Sequence, residues 1–174
     1  MTLSRRHFIR SGGGFAAALL ISSAAGADTP VEITMHSSAD GSKVWFDPIG
    51  ILISPGQTVR WTNRDAANSH TTTAYDPSNM DHPRRIPPGA KAWNSGYLMP
   101  GESFSVTLEV EGVYDYFCIP HEMAGMVGRI IVGRPQQADL TPSAARDHDV
   151  PQAALEAFPA IDAIMHNRIV HHKA

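Results

Sequence analysis

Two stretches, SPGQTVRWTN (Ser54–Asn63) and MPGESFSVTLEV (Met99–Val110), use the same device. Each opens on a Pro-Gly turn and runs straight into residues of β-rich type. In the second, Phe104, Val106, Leu108 and Val110 alternate with polar residues, the period-two signature of a strand with one face on a core. A second β-rich run, ILI (Ile51–Ile53), leads into the first of these turns, and VEITMH (Val31–His36), VWFDP (Val44–Pro48), YDYF (Tyr114–Phe117) and VGRIIVG (Val127–Gly133) extend the set. Short strands at this spacing, bounded by Gly, Pro and Asn, predict an all-β sandwich or barrel over roughly residues 28–133.

Two segments break that pattern. Ala74 to Leu98 is rich in Pro, Asn and Gly and reads as a long irregular excursion, the kind that in a compact domain is functional or locally packed. Beyond Gly133 the composition shifts, and 134–174 is expected to form a C-terminal extension. Pro151 to Phe158 and Ala160 to Ile169 read as short helices, each with a proline at or near its first turn. Ile161, Ile164 and Met165 share one face of the second, so that helix is expected to pack on the domain or on a partner.

The N-terminus carries Arg5 and Arg6 before an apolar run that ends in Ala25-Gly26-Ala27. This is the form of an export signal of the twin-arginine type over 1–27, cleaved after Ala27; the alternative is an uncleaved anchor. Export to the periplasm follows, with no membrane span left in the mature chain. Loss of Arg5, Arg6 and Arg10 takes the 14 basic residues to 11 against 17 acids, a net charge of −6. So acidic a chain lacks the basic face that nucleic-acid binding requires. It also makes the one cysteine, Cys118, conspicuous. In an oxidising compartment a single thiol cannot close an internal disulfide, which leaves a reactive thiol, an intermolecular partner or a metal ligand.

The neighbours of Cys118 favour the last. YDYFCIPHEMAGMVGRIIV (Tyr114–Val132) sets out Cys-x2-His-x4-Met in Cys118, His121 and Met126. A thiolate and a thioether suit Cu(I), imidazole suits both oxidation states, and a trigonal His₂Cys set with a weak axial Met is an electron-transfer geometry. The second imidazole is available in His70, which closes the run WTNRDAANSH after a predicted strand.

The run Tyr-x-Tyr-x-Cys-x-Pro-His followed by Gly-Met-x-Gly, here Tyr114, Tyr116, Cys118, Pro120, His121, Gly125, Met126 and Gly128, resembles the copper loop of the small blue (type 1) copper proteins, the cupredoxins. It is most similar to plastocyanin and pseudoazurin. The resemblance spans about Val31 to Gly133. It implies a Greek-key β-sandwich or barrel and one type 1 copper bound by His70, Cys118, His121 and Met126. It further implies single-electron transport with no substrate transformed, and so no enzyme. The partner would be a c-type cytochrome, a copper enzyme or a dehydrogenase, docking on a monomer over the exposed edge of His121. The runner-up is a periplasmic copper carrier or storage protein using the same ligands. One departure stands out: Thr71 follows His70 where plastocyanin and pseudoazurin place Asn. A Thr keeps the backbone contact near the cysteine sulfur but lacks the amide side chain.

The remaining candidates have ordinary roles. Met126 is preferred to Met123 as axial ligand on spacing and on its Gly125 and Gly128 flanks, which leaves Met123 to the surface around His121. His36 and the tail histidines His148, His166, His171 and His172 are expected at the surface. His82, Arg84 and Arg85 form the one basic cluster, read as a solvated loop face with the steering of an acidic partner as the alternative. Trp45, Trp61 and Trp93 are assigned to the core or to the packing of the excursion.

Overall fold

Alternation along the first strand sets the architecture. In β1 (Val31–Ser37) Ile33 and Met35 are buried while Glu32 is exposed, which gives the strand an inner and an outer face. The computed structural model describes residues 29–134 and 144–173, so the expected leader over 1–27 lies outside the described residues. The other strands are β2 (Val44–Asp47), β3 (Gly50–Ile53), β4 (Gln57–Asn63), β5 (Thr73–Ala74), β6 (Ser103–Leu108), β7 (Gly112–Phe117), β8 (Val127–Val132) and β9 (Ile169–Val170). Two short helices, α1 (Gln152–Ala157) and α2 (Ile161–Asn167), lie where the tail proline pattern predicts them.

The strands form two sheets, ordered β2–β1–β4–β6 and β5–β7–β8–β3–β9. β1 runs parallel to β4 and β3 parallel to β8, and the remaining pairs are antiparallel. This is the expected Greek-key sandwich. Its core lies between the sheets, with Ile33, Met35, Phe46, Val59 and Trp61 on one side and Ile51, Ile53, Tyr114, Tyr116, Ile130 and Val132 on the other. Trp61 meets Tyr116 edge to face at 5.4 Å and tilts against Trp93 at 5.6 Å, so the excursion is stitched to the core through Trp93.

The outer faces of the two sheets differ. β6 alternates exposed with covered residues, as a solvent-facing strand should, whereas every residue of β7 and β8 is buried. The C-terminal extension is the cause. Ile164 of α2 is buried against Val113 and Ile131, with Ile161 and Met165 packed beside it, and Val150 and Ala154 cluster with Phe117 and Val127. β9 adds to the free edge of β3, pairing Ile51 with Ile169. An apolar outer edge is thereby closed.

Beneath the extension, Asp115 of β7 and its cross-strand partner Arg129 of β8 are both buried. Arg129 donates to both Asp115 oxygens, at 2.7 and 2.9 Å, and Arg85 of the excursion donates to the same carboxylate at 2.9 Å. The Phe158 ring lies under both guanidiniums, 5.1 and 4.9 Å from centroid to carbon, and Arg129 also donates to the Pro159 carbonyl. Two cations on one ring and one carboxylate thus clip the tail to the sheet.

Candidate metal centre

Where β4 ends, the chain enters a loop built on its own polar side chains. Asn63 donates its amide to the carbonyls of Asn68 and Leu98, at 2.8 and 2.9 Å, and accepts the Asp65 N–H at 2.9 Å. Asp65 in turn accepts the N–H groups of Ala67 and Asn68 and the Asn68 side-chain amide. His70 follows, its backbone bridged in both directions to Leu98, and its imidazole is fully buried.

The second loop leaves β7 at Cys118 and turns at once into a 3-10 helix, Ile119–Ala124, with Pro120 in its first turn. Gly125 ends the turn with φ 79°, a left-handed conformation that glycine adopts without steric cost. Beyond it, Gly128 faces Tyr116 so closely that an added Cβ would come within 2.3 Å of the ring. That contact is why a glycine stands opposite the second tyrosine. The loop closes on itself, the Cys118 N–H donating to the Met126 carbonyl and the Met126 N–H to that of His121.

Together the loops place three donor atoms in a triangle. Nδ1 of His70 and Nδ1 of His121 are 3.1 Å apart, and Cys118 Sγ lies 3.6 and 3.5 Å from them. A point equidistant from all three is about 2.0 Å from each, close to the ~2.0–2.3 Å bonds that imidazole nitrogen and thiolate make to zinc, a neighbouring first-row metal. Among the described residues this is the one cluster of His, Cys, Asp or Glu side chains with metal-binding spacing. The triangle fits a metal ion of the soft-to-borderline kind, and its one-thiolate, two-imidazole chemistry fits copper.

Burial pushes the Cys118 thiol up to about 11, against the opposing pull of the Thr71 N–H, which donates to the sulfur at 3.3 Å. A fully buried sulfur is out of reach of reagents in solution, so the reactive-thiol alternative loses its footing. Burial and the neighbouring His70 ring lower the His121 imidazole below its ordinary value, with Asp65 opposing. Met126, expected as the axial group, is fully buried in the core cluster that contains Cys118, whereas Met123 is 78% exposed, as read from the sequence.

Thr71 keeps the expected backbone contact with the cysteine sulfur, and its hydroxyl adds a side-chain tie between the loops by accepting the Ile119 N–H at 2.8 Å. Other sequence expectations need correction. The basic cluster is not free to steer a partner: Arg84 pairs with Asp76, Arg85 with Asp115 and Asp147, and His82 with Glu122. His171 and His172 are not simply solvated, since His171 contacts Asp47 and His172 stacks on Trp45 at 4.9 Å. Trp45 therefore belongs to the docking of the tail, with His36 stacked on its ring at 5.7 Å. Asp65 was missed. Its Oδ2 lies 2.9 Å from His70 Nε2, and the available signal was an acid five residues before a candidate ligand in an Asx-rich turn.

Comparison with known proteins agrees with the geometry. The profile of copper-binding proteins of the plastocyanin/azurin family matches residues 33–133. A plastocyanin from Scenedesmus fuscus is 36% identical over 105 residues, covering 58% of this chain and 99% of that protein. The chloroplastic plastocyanin of Chlamydomonas reinhardtii is 37% identical over 120 residues, 67% of this chain and 74% of the relative. Among solved structures, a pseudoazurin from Sinorhizobium superposes with a TM-score of 0.53 at 28% identity, covering 74% of this chain and 91% of the other.

Proposed function

The chain belongs to the plastocyanin/azurin family of copper-binding proteins, and from that premise we propose that it is a periplasmic carrier of single electrons. In this reading His70, Cys118 and His121 hold one type 1 copper, Met126 is its weak axial ligand, and no substrate is transformed. The observation that carries the reading is the triangle of two Nδ1 atoms and one Sγ at 3.1–3.6 Å, closed across two loops. Bound copper supplies a one-electron change between Cu(II) and Cu(I).

The chain supplies what makes that change fast. Cys118 and His70 are fully buried, so no water is displaced at either residue when the charge alters. Thr71 holds the sulfur by its N–H and the next residue by its hydroxyl, which fixes the donor positions in both states. His121 alone of the three is partly exposed and is the group through which an electron enters or leaves. Around it Pro120 and Met123 are exposed, and Met99, one residue beyond the Leu98–His70 bridge, adds a further apolar side chain. A small patch of this kind suits the weak, short-lived docking of a redox protein such as a c-type cytochrome, a copper enzyme or a dehydrogenase. Residues 1–27 are read as the twin-arginine export signal, and the carrier acts as a monomer.

A visible and electron paramagnetic resonance spectrum of the copper-loaded chain tests the site. An intense sulfur-to-copper charge-transfer band with one copper per chain is expected, and copper bound without that band would overturn it. Function is tested by rapid reduction and reoxidation with a cytochrome while a competing chelator is present. Loss of copper to the chelator on the same timescale would mean a carrier of metal, not of electrons.

A further inference from the structure

His70 presents one ring nitrogen to the site and the other to an acid. Its Nδ1 faces the Cys118 sulfur and the His121 ring, while its Nε2 lies 2.9 Å from Asp65 Oδ2. If Nδ1 gives its lone pair to a metal, the ring proton must sit on Nε2, where Asp65 accepts it. Both side chains are essentially inaccessible, 0% and 3% exposed. Nor is Asp65 drawn there by the imidazole alone. Its other hydrogen bonds, from the Ala67 and Asn68 N–H groups and the Asn68 amide, fix the carboxylate independently. With three N–H donors besides the imidazole, both oxygens act as acceptors, the arrangement a carboxylate anion takes. His121 has no such support, since no described residue partners its Nε2.

We propose that Asp65 is a positioning residue that sets the reduction potential of the centre, by fixing the Nε2–H tautomer of His70 and placing a buried negative charge behind the ring. The proposal rests on the copper reading of the site. A neutral acceptor would orient the imidazole equally well. A carboxylate does more: it pulls on the Nε2 proton, makes Nδ1 a stronger donor, and favours the more highly charged oxidised metal. The consequence is a lower potential than the same ligands would have with a neutral acceptor at Asp65. Because only His70 is treated this way, the two imidazoles are unequal donors.

The test uses the copper-loaded full chain with Asp65→Asn and Asp65→Glu. In Asp65→Asn the charge-transfer band persists, and the ratio of Cu(I) to Cu(II) affinity rises by about tenfold, the lower end of what removing a partner of a metal-bound histidine does. For a one-electron couple that is about 59 mV upward. Asp65→Glu, which keeps the charge, brings the potential back towards that of the parent. Asn68→Ala, which removes a donor to Asp65 but no charge, lowers stability and leaves the potential in place. Should Asp65→Asn fail to take up copper, nitrogen-15 correlation spectra of the reduced parent protein decide. A His70 Nε2 proton protected from exchange supports the proposal, and an unprotonated Nε2 overturns it. An unchanged potential in a blue Asp65→Asn variant overturns this proposal alone. Absence of the band from the parent overturns the copper reading and this proposal with it.

Discussion

Asn63, Asp65 and Asn68 hold the His70 loop with side chains of the loop itself, whereas the loop carrying Cys118 and His121 leans on the C-terminal extension. In the first, short hydrogen bonds between near neighbours fix a buried imidazole. In the second, the 3-10 turn rests on α1, and an added Cβ at Gly125 would lie only 3.0 Å from the Ala153 carbonyl. Glu122, next to His121, is held by Tyr75 and His82, and His82 stacks almost parallel on Phe117 at 4.6 Å. The difference separates two tasks. Local polar bonds fix a donor's position and charge environment, while tertiary packing fixes whether the loop keeps its shape at all. Changes at His70 or its acid Asp65 should therefore move the electronic properties of the centre, and variants beneath the second loop should move stability.

The largest effect expected is loss of the site, and the two histidines should lose it differently. His70→Gly and His121→Gly both abolish the charge-transfer band, because each removes a corner of the triangle. Added imidazole restores it in His121→Gly, where the vacated space opens to solvent. In His70→Gly it does not, since the vacated space is fully buried and any ligand must also satisfy Asp65. Titration of both variants with imidazole, followed in the visible, checks this; equal rescue would erase the distinction between the loops.

Next comes Asp115→Ala. It leaves Arg85 and Arg129 buried beside each other without their shared carboxylate. Breaking a buried pair in this way costs about 3–5 kcal/mol. Urea unfolding should show that loss while the visible spectrum of the folded, copper-loaded variant is unchanged. A spectral shift as large as that of a His70-loop variant would mean the extension tunes the metal as well as supporting the loop.

Asp115 also shows where the sequence stops being legible. The strands, the Pro-Gly turns and the Cys-x2-His-x4-Met spacing are local signals, and β1 to β4, β6 to β8 and the three converging donors follow from them. A single Asp in YDYF and a single Arg in VGRIIV look like solvent-facing positions of an ordinary amphipathic strand. They are buried because the extension lies over them, and their partner Arg85 sits in an irregular segment with no periodicity to place it. Likewise β5 and β9 are two-residue strands that exist only through pairing with β7 and β3. At Thr71 the backbone contact was legible, but residue type alone does not reveal that its hydroxyl reaches the Ile119 N–H.

A smaller effect tests the prop directly. Gly125→Ala forces a side chain into a left-handed conformation and against the Ala153 carbonyl, a strain of about 1–2 kcal/mol. Relief requires α1 to move, so amide exchange over Gln152–Ala157 should accelerate while the Asn63–His70 segment keeps its protection. Equal acceleration in both segments would show that the loops are not supported separately.

The smallest effect comes from His82 and depends on pH. Its hydrogen bond to Glu122 raises the His82 pKa above the ordinary 6.5, against the opposing effect of partial burial. Below 6.5 the imidazolium exists in both folded and unfolded chains, and the ion pair contributes in full. As pH rises through the elevated folded value, the proton leaves and the contribution is lost. The pair is partly solvated, so its worth is under about 1 kcal/mol. Thermal unfolding of the parent and of His82→Gln should differ most below pH 6.5, and the gap should shrink as pH rises through the elevated folded value. A gap that widened with pH would mean that His82 supports the loop through its stack on Phe117 alone, and that Glu122 owes its position to Tyr75.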